Sequence, residues 1–491
     1  MSTEKTGEPI KTIIRAYMKE TTSGQIEARV IVLFVSIFII ALLLGSFVTK
    51  VRADIVLAAV VGIALFILCF LSVKYSLYAL IFAMLLSPQF GERTTEGGGI
   101  TIRLDDFMLI IISFAWFART AIYKEMTLLK KTPLNRPIGY YTLACIVATG
   151  FGMMFGKVHI ARGFFFVFKY IEYFVVYFMA VNLIDNRKQL RNFTIALLVV
   201  FVIVCLTSIA QIPQGERITA PFEGKGGEPN TLGGYLLLML SIVTGLLLNT
   251  DKDDSMKYKF LLLSLIFFAF IPIGFSQSRG TWFSLLPWYI TFLVISKKKA
   301  VLGISLAIVV IVSPAIMPKP IKERFMYTFE KQKGWAAKYQ EHVGGVTLDT
   351  STSERLTSTK FALEAYVRHP VFGYGVTGWR FLDQQYLKTL VETGVFGFMS
   401  LLYLLYVLLR ETRKVYTSTE DKFHKGIAMG FFAGIIAMMT HAIGANTFII
   451  VRIMEPFWFL AAIVVSIPQI YELEKFGDSD SLRSEIRKAG V

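Results

Sequence analysis

Runs of roughly 20 apolar residues recur from one end of the chain to the other, and no other feature limits the possible folds so severely. A helix of about 20 residues rises about 30 Å, which matches the hydrocarbon core of a bilayer. The approximate spans are 30–49, 55–73, 76–88, 106–122, 138–156, 163–184, 192–212, 231–249, 260–275, 281–296, 300–317, 386–409, 426–444 and 453–470. The third is short enough for a re-entrant segment. A bilayer admits only helices and closed barrels, because every backbone N–H and C=O must find a partner within the protein. A barrel would show short alternating segments instead. The expected fold is therefore an all-α polytopic integral membrane protein with about 12–14 transmembrane helices.

Of the 491 residues 54% are hydrophobic, yet the formal net charge is +16. The basic residues do not gather into a nucleic-acid surface. They are scattered through interhelical loops: Arg119 to Arg136 (with Lys124, Lys130 and Lys131), Arg187-Lys188 with Arg191, Lys297-Lys298-Lys299, and Arg410 to Lys425. These fall on one side, which the positive-inside tendency makes the cytoplasm, and anionic lipid headgroups account for the charge. Both termini then lie inside. The polar, basic stretch 1–29 does not read as a cleavable signal peptide. Cys69, Cys145 and Cys205 sit within apolar spans as packing residues, with no disulfide framework. No His or Asp/Glu spacing suggests a metal site, and no cofactor is expected. The implied organisation is a cytoplasmic tail (1–29), a first bundle segment (30–317), an extracytoplasmic loop (318–385), a second bundle segment (386–470) and a cytoplasmic tail (471–491).

Three polar pieces reach the opposite face. One is the loop 213–230, with Gly215-Glu216-Arg217 and Glu228-Pro229-Asn230. The second is the tight turn Ser276–Gly280, and the largest is the segment 318–385. Within that segment, residues 321–341 (Ile321, Phe325, Phe329, Trp335) read as an amphipathic surface helix. Ser351-Thr352-Ser353-Glu354 reads as a capping box opening a second helix, which Pro370 ends.

Arg279, in its Ser/Gly-rich turn, suits phosphate, with hydroxyls of Ser276 and Ser278 as further donors. Snorkelling to headgroups is the competing use. Arg217 lies on the same face near Asn230, and an ordinary loop arginine is its competing reading. Asp383 stands at the entry to a span, where lower dielectric raises a carboxyl pKa and suits it to act as a base toward a sugar hydroxyl. Tyr374, Trp379, Tyr386 and Trp335 offer rings for stacking on sugars, although interfacial anchoring is the commoner use. Glu392 is placed to orient the site or to pair with Arg355 or Arg380. Two charged pairs, Lys169/Glu172 and Arg452/Glu455, lie inside spans and must face the bundle interior, since a charge at mid-bilayer costs about 2.5–3.5 kcal/mol. His441 and Asn446 read as satisfied polar groups near the outer end of a late span.

In order, Arg217 with Glu228-Pro229-Asn230-Thr231-Leu232-Gly233, Ser276-x-Ser278-Arg279-Gly280, Arg355, His369-Pro370-x-x-Gly373-x-Gly375, Asp383-Gln384 before Tyr386-Leu387, and Glu392-x-Gly394 resemble the O-antigen ligase/polymerase superfamily of bacterial membrane glycosyltransferases. The motifs cover roughly residues 215–400. The resemblance implies a GT-C-type fold and an inverting, metal-independent transfer from a glycan on undecaprenyl diphosphate to an acceptor glycan or glycolipid. The reaction would take place at the outer face of the cytoplasmic membrane. Arg217 and Arg279 would hold the diphosphate, with Asn230, Ser276, Ser278 and Arg355 as donor-binding neighbours. Tyr374, Trp379 and Tyr386 would contact glycan, with His369 and Glu392 in support. Ligases carry a His-Asn-type motif where this chain has Asp383-Gln384, which favours a polysaccharide polymerase and makes Asp383 the candidate base. A partner that regulates chain length is compatible with that role. A protein O-oligosaccharyltransferase would share every motif, while a lipid-linked glycan flippase would place its charges along a central path.

Overall fold

The computed structural model describes residues 69–90, 102–123, 130–223, 227–327 and 349–488, with Ile63, Phe66, Ile67 and the short strands His342–Val343 and Val346–Thr347. The expected span 30–49 and most of 55–73 lie outside the described residues. From Leu68 onward the chain forms one unit. In chain order its helices are α1 (Val73–Leu86), α2 (Leu104–Tyr123), α3 (Asn135–Met154), α4 (Ile160–Leu183), α5 (Arg187–Ile209), α6 (Pro229–Leu248), α7 (Met256–Phe275), α8 (Arg279–Ile295), α9 (Lys299–Ile316), α10 (Lys319–Met326), α11 (Thr350–Arg368), α12 (Gln385–Ser418), α13 (Lys422–His441) and α14 (Val451–Lys488). Two antiparallel pairs of two-residue strands, Gln89–Phe90 with Ile102–Arg103 and His342–Val343 with Val346–Thr347, are the strands among the described residues. Among the described residues, eight helices are long and apolar enough to cross a membrane. The chain is an all-α polytopic membrane protein.

α6 and the Val451–Glu472 part of α14 form the centre, buried on nearly every side, whereas α7 presents Phe260, Phe267 and Phe270 outward. α6 and α13 approach unusually closely because Gly426, Gly430 and Gly434 repeat every fourth residue on one face of α13. A Cβ at Gly245 would come within 2.3 Å of the Gly426 carbonyl oxygen. Small residues at this spacing let helix backbones meet where no hydrophobic force separates helix from lipid.

The N-termini of α6, α8, α12 and α14 meet the C-termini of α7 and α13 at one end of the bundle, the site end. Lys130, Arg187, Lys298, Arg410 and Lys422 lie at the other. Charges within the bundle are paired, as burial requires. Lys169 bridges Asp106 at 2.5 Å and Glu172 at 3.0 Å. The second expected pair divides its partners. Glu455 lies 3.6 Å from Arg103, which also pairs with Asp105. Arg452 lies 3.9 Å from Glu223 and donates to the carbonyls of Leu85, Ser87 and Pro221. Both side chains face the interior, but each neighbour is supplied by another part of the chain.

Candidate active site

The turn between α7 and α8 is built to present Arg279. Ser278 is the N-cap of α8, its Oγ accepting from Thr281 N. Gln277 takes a left-handed φ of +51°, and its carbonyl accepts from Arg217 Nη2 at 3.1 Å. The Ser276 hydroxyl donates to the Ile273 carbonyl at 2.8 Å, and that of Ser278 donates to Asn230 Oδ1 at 2.7 Å. Both serines are fully buried, so their hydroxyls are spent on holding the turn and on tying it to the start of α6. Asn230 in turn donates to Glu228 Oε1.

The segment after α9 folds back over this turn. A Cβ at Gly274 would meet Ile321 Cδ1 at 2.8 Å, which seats α10 directly against the end of α7. This places Arg324, which the apolar pattern of the segment conceals, beside Arg217, Arg279 and Arg355. The expected amphipathic helix is α10 as far as Met326, and 328–341 lie outside the described residues. α11 is capped by Asp349, two residues before the expected Ser351. Its carboxylate accepts from Thr352 N and Oγ1 while pairing with Arg279 at 2.8 Å. Asp349 outcompetes Ser351 because a carboxylate at the N-terminus also meets the helix dipole and a guanidinium.

Four guanidinium groups thus lie near one another, and burial together with their proximity shows in the acidity of Arg217 and Arg324. Burial, followed by the nearby charges of Arg324, Arg279 and Arg355, pushes Arg217 down to about 10, which still leaves it protonated at neutral pH. Burial and Arg279 lower Arg324 in the same way. Burial works to raise the Asp349 carboxyl, but the bonds from Arg279 and Thr352 outweigh it and hold the group below the usual carboxylate range. The buried Nε atoms of Arg324 and Arg355 have no hydrogen-bond partner among the described residues. Such a cluster is complementary to a polyanion with several oxygens.

Asp383 stands at the rim, partly exposed, 3.7 Å from Arg355. Its loop is tied down on both sides. Asn446 Nδ2 donates to the Leu382 carbonyl, Gln385 Oε1 accepts from Phe448 N, and Gln384 Oε1 accepts from Thr359 Oγ1. His369 ends α11 as its C-cap, and its ring meets that of Tyr374 edge-on at 4.4 Å. The following turn docks on a break in α12: Tyr374 N donates to Val391 O, Gly375 N to Glu392 O and Val395 N to Pro370 O. Both sides of this joint need glycine. Gly373 has φ +67° and Gly394 φ +64°, and a Cβ on Gly394 would lie 2.2 Å from the Val371 carbonyl oxygen. The two glycine motifs are one structural unit, although about twenty residues of sequence separate them.

Glu392 pairs with neither Arg355 nor Arg380. It is buried, 2.9 Å from Lys388 one turn earlier, and accepts from Thr377 N at 3.0 Å. The i,i+4 spacing explains the choice. Arg380 instead lies over the rings of Phe361 and Trp379, 4.5 Å from each centroid. Tyr374 and Trp379 pack against the buried cluster of Ala362, Ala365, Leu382 and Val391, and the Tyr386 hydroxyl donates to the Met439 carbonyl at 2.7 Å. These three rings therefore shape the floor of the rim rather than standing free above it. Trp335 lies outside the described residues.

The fold and this cluster together give a helical membrane bundle with four neighbouring arginines at one end. Residues 260–402 match the family model described as O-antigen ligase, from Phe260 in α7 to Leu402 in α12. That matched stretch, which is similar to the O-antigen ligase family, contains Arg279, Arg324, Asp349, Arg355, Asp383 and Gly394. No curated protein matches the chain.

Proposed function

We propose that the chain is a surface-polysaccharide polymerase or ligase that transfers a glycan from undecaprenyl diphosphate to an acceptor hydroxyl at the outer face of the cytoplasmic membrane. The observation that carries this reading is the convergence of Arg217, Arg279, Arg324 and Arg355, with a carboxylate, Asp383, 3.7 Å from Arg355. The outward placement is supported by the basic loops, which lie at the opposite end of the bundle.

In this reading the acceptor oxygen attacks the anomeric carbon in one displacement, which inverts that centre. The bond to the diphosphate oxygen breaks, and its electron pair leaves on the diphosphate. The hydroxyl proton passes to the Asp383 carboxylate. Negative charge grows on the leaving oxygen, and the guanidinium groups stabilise it in place, so little reorganisation is needed at the moment of reaction. Arg279 is the group best held for this: its turn is fixed by Ser276, Ser278 and Arg217, and its guanidinium is oriented by Asp349. Ser276, Ser278 and Asn230 serve the donor through that turn, while Glu392 and His369 hold the joint that carries Asp383.

The test is reconstitution of the purified protein with undecaprenyl-diphosphate-linked oligosaccharide, with products read by gel and mass spectrometry. A ladder of lengthening lipid-linked glycans establishes a polymerase. A single glycan joined to an added lipid or protein acceptor establishes a ligase or a protein oligosaccharyltransferase. Movement of donor between leaflets without a new glycosidic bond refutes the proposal. Arg279→Ala should lower turnover by about 10²–10³, the range for loss of one charge-stabilising donor.

A further inference from the structure

His441 closes α13 at the back of the Arg279 turn, fully buried, with its ring against Gly234 and Gly280. Its Nδ1 lies 2.8 Å from Thr447 Oγ1 and its Nε2 lies 3.3 Å from Thr281 Oγ1. The direction of these bonds follows from their neighbours. Thr281 Oγ1 donates its only proton to Ser278 Oγ at 2.8 Å, and Ser278 Oγ donates its own to Asn230 Oδ1 at 2.7 Å. Thr281 can therefore only accept from the imidazole, which requires a proton on Nε2. Nδ1 is then the acceptor for the Thr447 hydroxyl.

The result is a one-way chain of donors: Thr447, His441, Thr281, Ser278, Asn230, then Glu228. It joins the α13–α14 connection to the N-termini of α8 and α6. Thr447, His441, Thr281 and Ser278 are all fully buried, so each link lies in a setting where an unmade bond costs most. We propose that His441 is a positioning residue for the donor site: it fixes the Arg279 turn from behind through Thr281 and Ser278, without touching substrate. The proposal rests on the reading of Arg279 as a diphosphate ligand.

Binding of undecaprenyl diphosphate to the full chain in nanodiscs tests it, with His441→Phe and His441→Gln compared. Phenylalanine keeps a flat ring and removes the donor, whereas glutamine restores an N–H near Nε2. His441→Phe should raise Kd about tenfold, the loss expected when a buried donor is deleted and its partners are left unpaired. His441→Gln should stay within about twofold. In an Arg279→Lys background the phenylalanine effect should shrink, because residues acting as one unit are not additive. Equal weakening by both substitutions, unchanged binding in His441→Phe, or full additivity with Arg279→Lys would each overturn the proposal. A second measurement does not involve the donor: the maleimide-labelling rate of Gln277→Cys, in the turn itself, should rise severalfold with His441→Phe and stay at the wild-type rate with His441→Gln. If wild-type protein fails to bind undecaprenyl diphosphate, the donor reading falls, and the labelling rates alone judge the role of His441. Equal rates in all three would refute it.

Discussion

Gly394→Ala should detach the Asp383 loop from the bundle. Gly394 has φ +64° and ψ −166°, a region open essentially to glycine alone, so a side chain there costs about 1–3 kcal/mol of backbone strain. The added Cβ would also lie 2.2 Å from Val371 O and 2.7 Å from Phe372 N. Carbon–oxygen contacts settle near about 3.3–3.6 Å, so the overlap is about 1 Å, and it is with backbone that no rotamer change can move. The cheapest relief is for the His369–Gly375 turn to lift. That breaks the bonds from Tyr374 N, Gly375 N and Val395 N, each contributing about 0.5–1.5 kcal/mol. Strain and lost bonds together come to about 3–7 kcal/mol. The joint sits at the break in α12 and leaves the backbone hydrogen bonds of the other bundle helices intact, so the variant should still insert and purify. Two assays follow. Trypsin should cut after Arg368 and Arg380 faster than in wild type, and glycan transfer should fall by about 10² as Asp383 loses its place. Gly150→Ala, with open space around its Cβ, is the control and should behave as wild type. A Gly394→Ala protein with wild-type protease pattern and turnover would refute the argument that the two glycine motifs form one joint.

Three further expectations concern the charges. Arg324→Ala should weaken binding of undecaprenyl diphosphate about tenfold with little loss of stability, because this guanidinium lies among like charges with the Tyr327 ring 5.6 Å away; isothermal titration in nanodiscs reads it. The Asp349 carboxyl is held below its ordinary value, so its contribution is complete above about pH 4 and is lost as pH falls through the lower folded value. Asp349→Asn, which keeps the cap, should abolish that acid dependence in a thermal-unfolding series over the same pH range. Arg452→Leu should destabilise the bundle by about 3–5 kcal/mol, because it removes the buried cation beside Glu223 and leaves the carbonyls of Leu85, Ser87 and Pro221 without this donor; a marked fall in Tm in detergent is expected.

The bundle was legible because bilayer thickness imposes one length on every span, and a run of apolar residues announces that length locally. Arg217, Arg279, Arg355 and Asp383 were legible as residues because polar groups at the end of an apolar run have few uses. What remained hidden is non-local. Arg452 and Glu455 share a helix face at a spacing that favours pairing, yet each takes a partner that another segment delivers. Arg103, just before α2, is the partner of Glu455, and beside Asp105 and Asp106 it looks in sequence like an ordinary flanking charge. Arg324 was masked for a different reason: in an amphipathic segment the apolar positions report which face is buried, while the identity of the polar neighbours depends on where the helix comes to rest. The packing of Ile321 on Gly274 brings that helix against the turn. His441 shows the same limit most sharply. Nothing within ten residues of it implies Thr281, and the buried bond between them exists because α13 and α8 finish at the same end of the bundle.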